Sequence, residues 1–66
     1  HFKGELTMFK SLLRKLEEIN YILIMNNGKC ELLNKYTRKV YLTFSNNEKP
    51  RIKEKLLIDF YTNKIQ

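Results

Sequence analysis

The chain has one cysteine, one proline, two glycines, one histidine and no tryptophan in 66 residues. A single thiol excludes a disulfide within the chain. One Cys and one His also fall short of the four ligands that a structural zinc typically takes, so no metal is expected. Gly4 and Gly28 stand alone, which excludes a glycine-rich phosphate loop; no cofactor is expected. The longest apolar run, Tyr21-Ile22-Leu23-Ile24-Met25, is far short of the roughly 20 residues that span a bilayer. No membrane partner is expected either. A lone Cys30 without a signal-peptide pattern suits a reducing, cytoplasmic setting.

Acidic residues are scarce as well. Thirteen Lys and Arg stand against seven Asp and Glu, a net charge of +6. Residues 1–28 carry four basic and three acidic groups, whereas residues 29–66 carry nine basic and four acidic ones. A basic half favours an anionic partner, and nucleic acid is the commonest. The plainer reading is a lysine-rich surface that keeps the chain in solution. At this length a domain buries only roughly 60% of the surface its unfolded form exposes. Stability then rests on a well-packed core, on a homodimer or on another partner.

Apolar spacing divides the chain into five elements. Met8, Phe9, Leu12, Leu13, Leu16 and Ile19 fall within roughly 140° on a helical projection, which predicts an amphipathic helix over 5–19. Lys10, Arg14, Glu17 and Glu18 take its other side, and Glu5 suits the helix dipole. Tyr21–Met25 then reads as a strand with apolar residues on both faces, either covered on each side or placed at a subunit interface. Asn26-Asn27-Gly28-Lys29 follows, and an Asn-Gly pair supplies the positive φ values of a tight hairpin. A second strand is predicted over 30–35, with Leu32 and Leu33 on opposite faces, and a turn at Tyr36-Thr37-Arg38. In 39–44, Val40, Leu42 and Phe44 alternate with Lys39, Tyr41 and Thr43, the period of a half-buried strand. Ser45-Asn46-Asn47 offers N-caps for a second helix, in whose first turn Pro50 is tolerated. One stripe of that helix, Ile52, Leu56 and Phe60, is expected to face the sheet. Leu57, Ile58, Tyr61 and Ile65 widen the apolar belt, which fits a further contact or merely a few exposed apolar side chains.

The predicted class is therefore α+β, in the order α-β-β-β-α, with a three-stranded antiparallel sheet and both helices on one face. This order is similar to the double-stranded-RNA-binding-domain-like fold. Fold order by itself implies no function.

From Met8 onward the pattern resembles the HicA-type (YcfA-like) toxins, the small RNA-cleaving partners in HicAB toxin–antitoxin pairs. Ser11-Leu12-Leu13-Arg14-Lys15-Leu16-Glu17-Glu18-Ile19-Asn20-Tyr21 follows that family's first helix, "ELIKLLEKNG(F/W)". Asn20 stands at its Gly and Tyr21 at its Phe or Trp. Gly28 falls at the spacing of the family's "GSH", and Ile52–Tyr61 is similar to "LKKGTLRSIL" in apolar placement. The likeness spans about residues 8–62. It implies that residues 1–7 are vector-derived or disordered and that 8–66 form a single domain. It also implies an RNA substrate, metal-independent ribonuclease chemistry and an antitoxin as protein partner. The family's catalytic His corresponds to Cys30, with Lys29 at the Ser. A thiol at its ordinary pKa is a poor substitute for imidazole as a general base near neutral pH. A relative that binds RNA without cutting it fits these residues better.

The candidate contacts to nucleic acid are Lys29, Lys35, Arg38 and Lys39 beside the predicted turns. Arg51, Lys53 and Lys55, with Lys49, are candidates at the start of the second helix. Tyr36 and Tyr41 lie near the first group, where aromatic rings can stack on bases. Glu48 and Glu54 interrupt the second group, as in any exposed Lys/Glu helix. From a different class, the thin core, the two-sided apolar strand 21–25 and the broad apolar belt of the second helix fit a protein-interaction module, such as a phage- or plasmid-encoded inhibitor or a small docking subunit.

Overall fold

A computed structural model describes the backbone of residues 2–66 and the side chains of residues 9–66. The expectations for the side chains of Glu5 and Met8, and for the origin and order of residues 1–7, lie outside the described residues. The elements are α1 (Phe2–Glu18), β1 (Tyr21–Asn26), β2 (Lys29–Asn34), β3 (Val40–Ser45) and α2 (Pro50–Ile65). The three strands form one antiparallel sheet in the order β1-β2-β3. This is the predicted α+β arrangement.

Helix α1 buries Leu12 and Leu16 and packs Phe9, Leu13 and Ile19 beside them. Those residues recur at three- and four-residue steps and so share one side of the helix. The helix ends where the Ile19 and Asn20 amides donate to the Leu16 and Glu17 carbonyls. Asn20 then takes φ 77°, a left-handed turn that Asn tolerates better than most non-glycine residues. The chain enters β1 at once.

The β1–β2 hairpin closes on Asn27 and Gly28, with φ of 52° and 78°, and Asn26 opposite Lys29. Two successive positive φ values match the right-handed twist of the flanking strands. Alternation then sorts the side chains. Cys30 and Leu32 of β2, Leu23 of β1 and Leu42 and Phe44 of β3 join Leu12, Leu16 and Leu57 in one cluster. Both helices therefore cover the same face. The molecule measures 36 × 30 × 15 Å, and its thin dimension suits one sheet and one helical layer.

Leu33 points the other way, opposite Ile22 and Val40 in the two pairings. It is buried, while Ile22 and Ile24 are half-buried and Val40 is exposed. β1 is thus covered on one side and carries an apolar face on the other, rather than being covered on each side within the chain.

Three details differ from the sequence reading. A register shift between Leu32 and Leu33 leaves Tyr41 as an extra residue in β3. This bulge breaks the expected alternation, since Tyr41 joins the helix-side rings while Val40 is exposed. Ser45-Asn46-Asn47 does not cap α2; the Asn47 amide donates to Ser45 Oγ at 3.0 Å within a local turn. The N-cap is Lys49, whose side chain makes no cap bond. Finally, Leu57 is fully buried, whereas Ile52 is 41% exposed. The inward stripe of α2 is Leu56, Leu57, Phe60 and Tyr61, so Ile52 lies off it.

Candidate nucleic-acid interface

The loop from β2 to β3 is held by its own polar groups. Asn34 Oδ1 accepts hydrogen bonds from the Tyr36 amide at 2.9 Å and the Thr37 amide at 3.0 Å. The Arg38 amide donates to the Asn34 carbonyl at 2.8 Å, and the Asn34 amide donates to the Lys39 carbonyl at 3.0 Å. Arg38 takes φ 66°, a conformation that costs a non-glycine residue about 1–2 kcal/mol. One Asn side chain thus caps two amides, the usual way Asn stabilises a turn. The fixed backbone holds Tyr36 outward, 72% exposed. Lys35 Nζ stands 5.4 Å from the Tyr36 ring centroid.

The β3 bulge carries a second aromatic group beside this loop. The Tyr41 ring lies 5.4 Å from Tyr21, nearly perpendicular to it, and 6.1 Å from Phe60. Tyr21 and Phe60 meet edge to face at 5.0 Å. Two ammonium groups lie against these rings. Lys39 Nζ is 5.2 Å from the Tyr41 centroid. Lys64 Nζ, from the last turn of α2, is 5.0 Å from Tyr41, 5.5 Å from Phe60 and 5.8 Å from Tyr21. All are within the range at which a cation is attracted to a ring face.

Lys35, Arg38 and Lys39 are therefore brought together at one end of the sheet, and Lys64 joins them. Sequence reasoning did not single out Lys64. Its signal was the four-residue step from Phe60, which places the two side chains on one helical face.

The remaining basic residues lie toward the other end of β3. Lys29 pairs with Ser45, and the Asn46 amide donates to the Gly28 carbonyl at 2.8 Å, which ties the hairpin to the approach to α2. Lys49 and Arg51 are exposed there, Lys53 is half-buried, and the first turn of α2 holds no acidic residue. Cations crowd a helix end whose dipole is already positive. A six-residue β3 puts roughly 17 Å between the two groups. Lys55 differs from the rest, because its ammonium pairs with Asp59 at 3.2 Å on the surface.

Cys30, which the resemblance aligns with the catalytic His, is only 5% exposed. Its strand partners are Met25 and Phe44, and its Sγ lies 3.7 Å from Asn46 Oδ1. Among the described residues no group of three or more Cys, Asp or Glu side chains is placed to hold a metal ion. Nor is any helix among them long and apolar enough to cross a membrane. No family model, curated protein or solved structure matches the chain.

Proposed function

We propose that this chain is a small RNA-binding protein, related in pattern to the HicA-type toxins, that grips its ligand without cutting it. The observation that carries the reading is the β2–β3 loop, where a fixed backbone holds exposed Tyr36 among Lys35, Arg38 and Lys39. Holding these groups in place before binding reduces the ordering cost that a loose loop would meet. Lys and Arg answer phosphate, and the tyrosine ring answers a base. The second basic group, Lys29, Arg51 and Lys53, extends the positive surface along the strand. The burial of Cys30 supports binding without cleavage, since a general base at the resembled family's catalytic position must reach the 2′-hydroxyl it deprotonates. The reading places the protein in the cytoplasm, where RNA is at hand and a lone thiol stays reduced.

Fluorescence anisotropy with a labelled RNA tests the proposal. Affinity is expected to fall linearly on a logarithmic salt scale as counterions are released. Absence of binding at low salt overturns it.

A second reading, a protein-docking module, is favoured by the uncovered sheet face. Ile22, Ile24 and Val40 share that face with Leu33, and among the described residues no helix side chain joins them in the core cluster. An antitoxin-like partner or a second copy would bury this face. Solution mass and partner capture separate that reading from the first, because RNA binding to the β2–β3 loop leaves this face free.

A further inference from the structure

The bulge in β3 leaves Tyr41 as an extra residue opposite β2. A bulge gives up regular pairing and typically re-aims one side chain; here that side chain is Tyr41. It is turned toward Tyr21 and Phe60, yet Tyr41 is not absorbed into the core and the residue stays 38% exposed. Two lysines approach it from separate elements, Lys39 from the loop and Lys64 from the end of α2. Among the described residues the ion pair found is Lys55–Asp59, so neither Lys39 nor Lys64 has a carboxylate within ion-pair distance. Among the described residues Lys39 meets the Tyr41 ring, and Lys64 meets the rings of Tyr21, Tyr41 and Phe60.

A ligand that satisfies this group needs a flat, apolar face for the ring and negative charge for the lysines. A nucleotide has both. The face must also be accessible, and a base inside a duplex hides its faces in the stack, whereas an unpaired base offers them. We infer that Tyr41, Lys39 and Lys64 form a site for one unpaired nucleotide of a single strand. The base stacks on Tyr41, and the flanking phosphates take the Lys39 and Lys64 ammonium groups from the ring faces. This inference rests on the RNA-binding reading and adds to it the kind of strand and the place where it is read.

The test compares a labelled single-stranded oligoribonucleotide with the same strand annealed to its complement. The full chain and its Tyr41→Leu, Tyr41→Phe and Lys64→Gln variants are measured, with folding checked by circular dichroism. Wild type is expected to bind the single strand at least about ten-fold tighter than the duplex. Tyr41→Leu is expected to weaken single-strand binding roughly 5- to 160-fold, the range for loss of one stacked base, and to leave duplex binding unchanged. Tyr41→Phe keeps the ring and is expected to keep the affinity. Lys64→Gln is expected to weaken single-strand binding and to flatten its salt dependence by about one phosphate contact. Tyrosine fluorescence, in a chain without tryptophan, is expected to be quenched by the single strand in wild type and less so in Tyr41→Leu. Equal affinity for single strand and duplex, with Tyr41→Leu binding like wild type, overturns this site while RNA binding stands. No binding of either RNA by wild type at low salt overturns the RNA-binding reading itself, and this site with it.

Discussion

Cys30 stands directly opposite Phe44 in the β2–β3 pairing, and both side chains are buried in the cluster that holds Leu16 and Leu57. A side chain in that position fills space. Cys30→Ala is expected to cost about 1 kcal/mol, near the value of one buried methylene-sized group, and to leave RNA affinity within about two-fold. Cys30→His, which restores the residue of the resembled family, is expected to cost about 1–3 kcal/mol through overpacking and to produce no RNA cleavage. Urea denaturation and gel-based cleavage assays check both. A thiol reagent supplies a third measure, since the native protein should react far more slowly than the urea-unfolded chain. Fast native labelling would show that Cys30 is accessible.

Gly28 separates conformational cost from steric cost. Its φ is 78°, yet a Cβ built on it meets nothing within 4 Å. Gly28→Ala therefore meets no clash but is strained in this left-handed conformation, at about 1–2 kcal/mol, and Gly28→Asn should lose less because Asn tolerates this region. Equilibrium denaturation midpoints order the three proteins, with unchanged slopes expected. A Gly28→Ala protein as stable as wild type would mean that the hairpin does not hold this turn.

Much of this fold was legible because two signals are local. The three- and four-residue spacing of Leu12 and Leu16 marks one helical side, and Asn27-Gly28 marks a turn that few other pairs fit. The features that escaped depend on partners distant in sequence. Nothing around Tyr41 announces a bulge, since the register shift arises from how β3 meets Leu32 and Leu33. Ser45 and Asn47 are good capping residues, but they lie four and two residues before the N-cap Lys49, in a turn that reaches back to Gly28. Likewise the candidate site was half visible. Lys35, Arg38 and Lys39 adjoin in sequence, whereas Lys64 joins them only because α2 runs back along β3 to Tyr41.

The orientation of α2 can be tested with two truncations. Leu57 is fully buried and Ile52 is 41% exposed. Leu57→Ala is expected to cost about 2–5 kcal/mol, enough to unfold much of so small a domain at room temperature. Ile52→Ala should change stability by no more than about 0.5 kcal/mol. Circular dichroism melts of the two variants decide the matter. Comparable losses would place Ile52 inward and overturn the inward stripe described for α2.

The start of α2 sets stability against binding. Lys49 occupies the N-cap with no side-chain bond, and the first turn has no acidic residue. An Asp there accepts a hydrogen bond from an otherwise unpaired amide and answers the positive end of the dipole. Lys49→Asp is therefore expected to stabilise the fold by about 1 kcal/mol, read as a higher denaturation midpoint. If this end belongs to the RNA-binding surface, the same change exchanges a cation for an anion beside Arg51. Affinity for labelled RNA should then fall several-fold, and its salt dependence should lose about one phosphate contact. Lys55→Gln is the control, because Lys55 is already held by Asp59 in an exposed pair worth only about 0.3–0.5 kcal/mol. Its affinity should stay within about two-fold of wild type. A Lys49→Asp protein that gains stability and keeps full RNA affinity would remove this end from the interface and confine binding to the Tyr36 and Tyr41 end.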